Sequence, residues 1–177
     1  IVFTKGTTEA INLVAYGYAM PAMGEGDEIV LSILEHHSNI VPWHFLRERQ
    51  GVKLNWVDCD EEGGVSLEAV EAACPDRTKL IAITQMSNVT GAVLPIKEIC
   101  AMAHAKGIKV LVDGSQRAVH MPVDVQDMDC DFYCITGHKL YGPSGIGVLY
   151  GKTEALEEMR PYQGGGEMIL DVTMDGV

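Results

Sequence analysis

Apolar residues along this chain alternate between two patterns. The stretches "IVFT", "EIVLSI", "KLIAITQ", "IKVLVD", "DFYCI" and "GIGVLY" are short and almost continuously apolar, and "VKLNWVDC" alternates apolar with polar. Both patterns read as strands. Between them the apolar positions recur at helical spacing. In "TTEAINLVAYGYAM" they are Ile11, Val14, Ala15 and Tyr18, and in "PIKEICAMAHAKG" they are Ile96, Ile99, Cys100 and Ala103. Pro95 suits the first turn of that second helix and Gly107 its C-terminal end. Two shorter helices are expected. One runs through "IVPWHFLRERQG", with Ser38 or Asn39 as its cap and Pro42 in its first turn, and the other through "SLEAVEAAC", capped by Ser66. "DEEGG" is a turn, "MSNVTGAVLP" a polar loop, and "TEALEEM" a last short amphipathic segment.

Strands that are apolar on both faces and alternate with helices predict an α/β fold, with a mostly parallel sheet covered on both sides in three α/β/α layers. No internal repeat, low-complexity tract or linker interrupts residues 1–177, so one domain is expected. The chain opens on "IVFT" without a Met and closes on "MILDVTMDGV" without a terminal helix, which reads as a piece of a longer protein.

Composition narrows the partners. The net charge of -12 comes from 25 acidic and 13 basic residues with no basic cluster, which disfavours nucleic acid. No run is long and apolar enough for a membrane span and no signal-peptide pattern opens the chain, so a cytoplasmic protein is expected. The five cysteines are odd in number and include no CxxC pair. They read as small core residues, not as a disulfide framework or a thiolate metal site.

Candidate chemistry collects where strands end. After the first strand, "KGTTEA" puts Gly6, Thr7 and Thr8 at a helix start, a geometry that serves a phosphate or a plain helix cap equally well. After the second comes "EHHSN", whose His36 and His37 do not share a metal-binding spacing with His44. Ser87 and Asn88 follow the strand "KLIAITQ". Asp113, which could simply cap a turn, ends "IKVLVD" shortly before Gln116. "ITGHKLYGPSGIG" then sets Thr136, His138 and Lys139 at a strand-to-loop junction. Ligands of open α/β sheets bind outside the carboxyl ends of strands, and an amine there can attack a carbonyl. A phosphate cradle, a ring-sized gap, an acid and an amine together match pyridoxal 5'-phosphate, whose ring nitrogen needs a facing carboxylate to stay protonated.

The segments "FTKGTTEAINLVA", "EHHSNIVPW", "QMSNVTGAVLPI", "KVLVDGSQ", "VDVQDMDCDFYCITGHKLYGPSGIGVLY" and "GGGEMI" resemble, in order, the fold-type I, class V aminotransferase-like enzymes. Within them they resemble the Suf-type (group II) cysteine desulfurases. The resemblance implies that residues 1–177 are the pyridoxal-phosphate-binding large domain, without the family's N-terminal helix and C-terminal small domain. It implies that Lys139 holds the cofactor's aldehyde covalently and later moves the substrate Cα proton. His36 would stack on the ring, Asp113 would pair with the ring nitrogen, and Gln116 would reach the phenolic oxygen. Thr8, with Thr7 beside it, Thr136 and His138 would bind the phosphate, and Asn88 would lie near the substrate carboxylate. The family usually has Ser at position 136, and Ala at positions 115 and 117 where this chain has Ser115 and Arg117. The implied reaction takes sulfur from L-cysteine, leaving alanine and an enzyme persulfide that supplies a sulfur-acceptor protein for iron-sulfur cluster assembly. The implied state is a homodimer. The family's nucleophilic cysteine and carboxylate-binding arginine belong to a C-terminal half beyond these residues, so the chain alone is expected to be inactive. A selenocysteine lyase would keep the same cofactor residues, and a non-catalytic scaffold need not bind the cofactor.

Overall fold

The computed structural model describes residues 1–166, 168, 169 and 171–176. Its seven strands are β1 (Val2–Thr4), β2 (Glu28–Ser32), β3 (Lys53–Val57), β4 (Thr78–Thr84), β5 (Lys109–Asp113), β6 (Phe132–Thr136) and β7 (Gly147–Gly151). They form one sheet in the order β1-β7-β6-β5-β4-β2-β3. The pairs from β3 through β6 are parallel, and β7 runs antiparallel to both β6 and β1. The expected mostly parallel mixed sheet is therefore the one observed.

The continuous apolar runs follow from two-sided burial. Ile29, Leu31, Leu80, Ala82, Leu111, Phe132, Cys134 and Leu149 face one layer, and Val30, Ile81, Ile83, Val110, Val112 and Tyr133 face the other. The first layer contains α1 (Thr7–Val14), α2 (Met20–Ala22) and α3 (Val41–Gln50). Ile11, Val14, Trp43 and Leu46 are its fully buried contacts. The second contains α4 (Leu67–Ala72) and α5 (Ile96–Ala105), which bury Val70, Ile99, Cys100 and Ala103. Among the described residues, three further short helices are α6 (Arg117–His120), α7 (Val125–Met128) and α8 (Thr153–Glu157).

Ser66 caps α4 as expected, accepting the Ala69 N–H at 3.2 Å. Past α5, Gly107 takes φ +71, and the N–H groups of Gly107 and Ile108 return to the carbonyls of His104 and Ala103. That pair of bonds satisfies the last helical carbonyls and needs a left-handed residue, which glycine supplies without strain.

Two local expectations change. The helix from Thr7 is not α-helical throughout, because Ala15–Ala19 form a π-helical stretch before α2. Pro21 has no N–H to offer the Gly17 carbonyl four residues before it, and that carbonyl accepts the Arg160 N–H at 2.8 Å instead, where the 159–160 segment crosses the helix at its glycine. Neither Ser38 nor Asn39 caps α3, whose N-cap position is Ile40, with Pro42 in the first turn. Both side chains are committed elsewhere. The Ser38 hydroxyl meets His36 and Thr8, and Asn39 is fully buried between Glu35 and Trp43.

Candidate functional site

A cavity of about 480 Å³ opens where β1, β2, β5 and β6 end. Its wall contains Thr7 and Thr8 from the start of α1, His36 after β2, Asp113 at the end of β5, and Thr136, His138 and Lys139 at the end of β6. The sheet register explains the convergence. Thr4 and Thr136 both pair with Gly147, and Asp113 lies between Thr84 and Cys134 in the adjoining strands. These are two neighbouring rows, two residues apart on β6, and they bring the ends of β1, β5 and β6 to one edge of the sheet. A Cβ at Gly147 would stand 2.5 Å from the Gly6 Cα and 2.8 Å from the Ile135 carbonyl oxygen. Only a residue without a side chain lets the start of α1 come this close to β7.

Local hydrogen bonds fix the side chains. The Asp113 Oδ1 accepts the Ser115 N–H at 2.9 Å, so this acid closes a turn while its carboxylate lines the cavity. The hydroxyls of Thr7 and Ser115 are 2.6 Å apart, and those of Thr8 and Ser38 are 2.8 Å apart. His36 accepts the Ser38 N–H at its Nδ1, 3.2 Å away, which places the neutral imidazole's proton on Nε2. The Thr136 hydroxyl lies 3.0 Å from the His138 Nδ1. No side chain caps α1, so its first-turn N–H groups face the cavity end of the helix.

Lys139 closes a single 3-10 turn, Gly137–Lys139. That turn is pinned by the Gly137 N–H on the Ile146 carbonyl and by two N–H groups, of Leu140 and Gly142, on the Gly137 carbonyl. Lys139 is half-buried, and among the described residues no carboxylate pairs with it. Its amine is left to whatever the cavity holds.

Seven of the nine site residues expected from sequence thus share one cavity. The structure does not bring the other two into its wall: Asn88 is exposed in the loop after β4, and the Gln116 amide meets His120 at 3.2 Å. The wall also contains Lys5, Glu9, Asn12, Ser38, Ser115 and Tyr162. Glu9 and Asn12 share the helical spacing of Thr8 and were legible as its face, while Lys5 precedes the helix. Tyr162 comes from a distant segment and carried no local signal. Of the stretch 164–169, Glu167 lies outside the described residues.

Directly behind His36 lies a carboxylate that the sequence did not single out. Glu35 is buried; its oxygens accept the Ser32 hydroxyl at 2.5 Å, the Thr84 N–H at 2.9 Å and the Asn39 amide at 2.7 Å. Burial pushes its carboxyl up to about 7, against the pull of those three donors. Glu35, Asn39 and Trp43 lie in a loop, a 3-10 turn and α3 in succession, so no helical periodicity flags them together. The cysteines are of a different kind. Cys74, Cys100, Cys130 and Cys134 are buried, and burial raises all four thiols, Cys74 to about 11 and Cys130 to about 12. None of these is a poised nucleophile. Arg117 is half-buried, and among the described residues its Nε and Nη1 have no hydrogen-bond partner.

Comparison with known proteins agrees with this geometry. Residues 1–177 match the family model described as aminotransferase class-V. The chain is 53% identical over 174 residues to a cysteine desulfurase of Dickeya dadantii (strain 3937), covering 98% of this chain and 42% of that protein. It is 49% identical to a cysteine desulfurase of Pectobacterium atrosepticum, covering 98% of this chain and 43% of that one. The crystal structure of the cysteine desulfurase CsdA from Escherichia coli superposes with a TM-score of 0.95 at 47% identity, over 99% of this chain and 44% of that one. The apo cysteine desulfurase of Thermococcus onnurineus NA1 gives 0.91 at 39% identity, again over 99% and 44%. The chain spans less than half the length of these relatives. With the family model matched from end to end and the fold shared almost residue for residue, the chain belongs to the aminotransferase class-V family.

Proposed function

We propose that the cavity binds pyridoxal 5'-phosphate and that residues 1–177 are the cofactor-binding large domain of a cysteine desulfurase, which takes sulfur from L-cysteine and leaves alanine. The observation that carries this reading is the convergence of an amine with no carboxylate partner among the described residues, a fixed carboxylate, an imidazole and a hydroxyl-rich helix start around one cavity of about 480 Å³. The residues present fit the group. Its phosphate, ring nitrogen, ring face and aldehyde each find a partner of matching chemistry. Bound there, the cofactor would supply an electron sink for bond breaking at the substrate Cα.

The chain's own residues divide the work. Thr8, Thr136, His138 and the free N–H groups of the first turn of α1 would hold the phosphate, with the Thr7 hydroxyl steadied by Ser115. Asp113, its carboxylate fixed by the Ser115 N–H, would keep the ring nitrogen protonated. The His36 ring, held through Nδ1, would lie against the cofactor ring, and the Lys139 amine would bind the aldehyde and carry the Cα proton. Asn88 is assigned to the substrate carboxylate and Gln116 to the phenolic oxygen, the latter giving up its contact with His120. Four buried, protonated thiols, and a fifth, Cys59, that does not line the cavity, support leaving the sulfur-accepting nucleophile outside this chain.

We further infer a cytoplasmic homodimer that passes sulfur to an acceptor protein for iron-sulfur cluster assembly. Among the described residues no helix is long and apolar enough to cross a membrane, and Ile1 and Phe3 expose apolar surface at the β1 edge. The test is a hybrid in which this chain replaces the matching residues of the Dickeya dadantii desulfurase. Alanine released from L-cysteine by the hybrid, and abolished by Lys139→Ala, is the expected result. A hybrid that binds the cofactor but releases no alanine would refute the assignment.

A further inference from the structure

The β2 and β4 strands part company above Val30 and Ile81, the last pair of their parallel ladder. The chain leaves β2 at Ser32 and does not run alongside the end of β4, so the Thr84 N–H has no strand partner on that side. It donates instead to Glu35, whose carboxylate sits in the gap that the ladder leaves. The same carboxylate accepts Ser32 and Asn39, the residues that begin and end the loop carrying His36. Asn39 in turn accepts the Trp43 indole N–H at 3.0 Å, which links the loop to the first turn of α3. Ser32, Asn39 and Trp43 are fully buried. The cavity side of the loop shows the complementary arrangement, with the His36 Nδ1 bound to Ser38 and Ser38 bound to Thr8.

We propose that Glu35 is a positioning residue of this site: by tying β4 to both ends of the 32–39 loop, it sets where the His36 imidazole stands in the cavity and so how tightly the cofactor ring is held. The proposal rests on the pyridoxal phosphate reading above. Its chemistry demands an acid. The Thr84 N–H and the Asn39 amide N–H meet different oxygens, so an amide at this position puts one N–H against another wherever it turns, whereas a protonated carboxyl can turn its O–H to the Ser32 oxygen. A buried group that only filled space would accept that exchange far better than one whose two oxygens are both in use.

The test is a double-mutant cycle on the 177-residue chain, with pyridoxal phosphate titrated by visible absorbance and its induced circular dichroism into the parent, Glu35→Gln, His36→Ala and the double variant. Glu35→Gln is expected to weaken binding about tenfold, equivalent to about 1.4 kcal/mol, and to change the induced signal. In the His36→Ala background the same substitution is expected to cost little more, because Glu35 acts through His36. Equal losses in both backgrounds would mean a general structural role and would overturn the proposal, as would unchanged binding. Ser32→Ala, a milder variant that removes one donor, is expected to act in the same direction and covers the case in which Glu35→Gln does not fold. Amide exchange across 33–40 in the cofactor-free chain separates the two readings. Faster exchange in Glu35→Gln supports the loop anchor even if the parent takes no cofactor, a result that would defeat the functional reading instead. Unchanged exchange overturns the anchor itself.

Discussion

Glu35→Gln should flatten the pH dependence of this chain's stability. Burial raises the Glu35 carboxyl from an ordinary 4.5 to about 7, with the Asp113 charge adding to the effect. The folded chain therefore holds this proton more tightly than the unfolded chain does. Its contribution to stability is full below the unfolded value and is lost as pH rises through about 7. With each pKa unit being about 1.4 kcal/mol, the whole effect is about 3 kcal/mol, of which about 2 kcal/mol falls between roughly pH 5.5 and 8. The assay is chemical denaturation of parent and variant at several pH values across that range, comparing how each stability changes and not their absolute values. Other titrating groups are common to both proteins and cancel in the difference. The parent should lose about 2 kcal/mol more than the variant over this window. Parallel curves would show that Glu35 is ionised in the folded state at pH 5.5 and would refute the argument from burial.

Three further outcomes follow from named contacts. Gly147→Ala drives a Cβ into the backbone of Gly6 and Ile135, so thermal denaturation should show a loss of about 3 kcal/mol and cofactor binding should fail with it. Asp131 is 1% exposed, accepts the Val110 N–H at 2.8 Å and pairs with His104 and Lys109 at 2.8 and 3.2 Å. Its replacement by Ala at the far end of β6 should cost about 3 kcal/mol or more, seen as a fall in midpoint of about 10 °C, with the cofactor site unchanged below the transition. Ser115→Ala frees the Thr7 hydroxyl from its 2.6 Å contact and should alter pyridoxal phosphate affinity by a few-fold, measured by absorbance titration, while costing about 1 kcal/mol of stability, a fall in midpoint of about 3 °C.

Elements whose signal is local were legible in the sequence. The Ile96, Ile99, Cys100 and Ala103 stripe is buried as its spacing implies, and Gly107 ends the helix where a left-handed residue was expected. The strand ends bearing Asp113, Thr136 and Lys139 were also legible, because an apolar run that stops at a polar residue marks both the strand and its open end. Features decided by distant residues were not. The Arg160 N–H that takes the Gly17 carbonyl comes from far along the chain, although Pro21, which cannot serve that carbonyl, stood in plain view. Ser38 and Asn39 looked like caps because their side chains suit that task. The structure uses them instead for Thr8 on one side and Glu35 on the other, partners that only the folded sheet brings near. Glu35 itself read as one acid among 25, since nothing in its neighbours announces that the Thr84 amide is waiting for it.

The central claim is that Lys139 is the residue through which the cavity holds pyridoxal phosphate. The direct measurement is borohydride reduction of the chain with pyridoxal phosphate, followed by peptide mass analysis, beside a Lys139→Ala control. The account predicts a phosphopyridoxyl group on the peptide containing Lys139 in the parent and no trapped group in the control. A group trapped on another lysine, such as Lys5 at the cavity rim, or equally in both proteins, would contradict it.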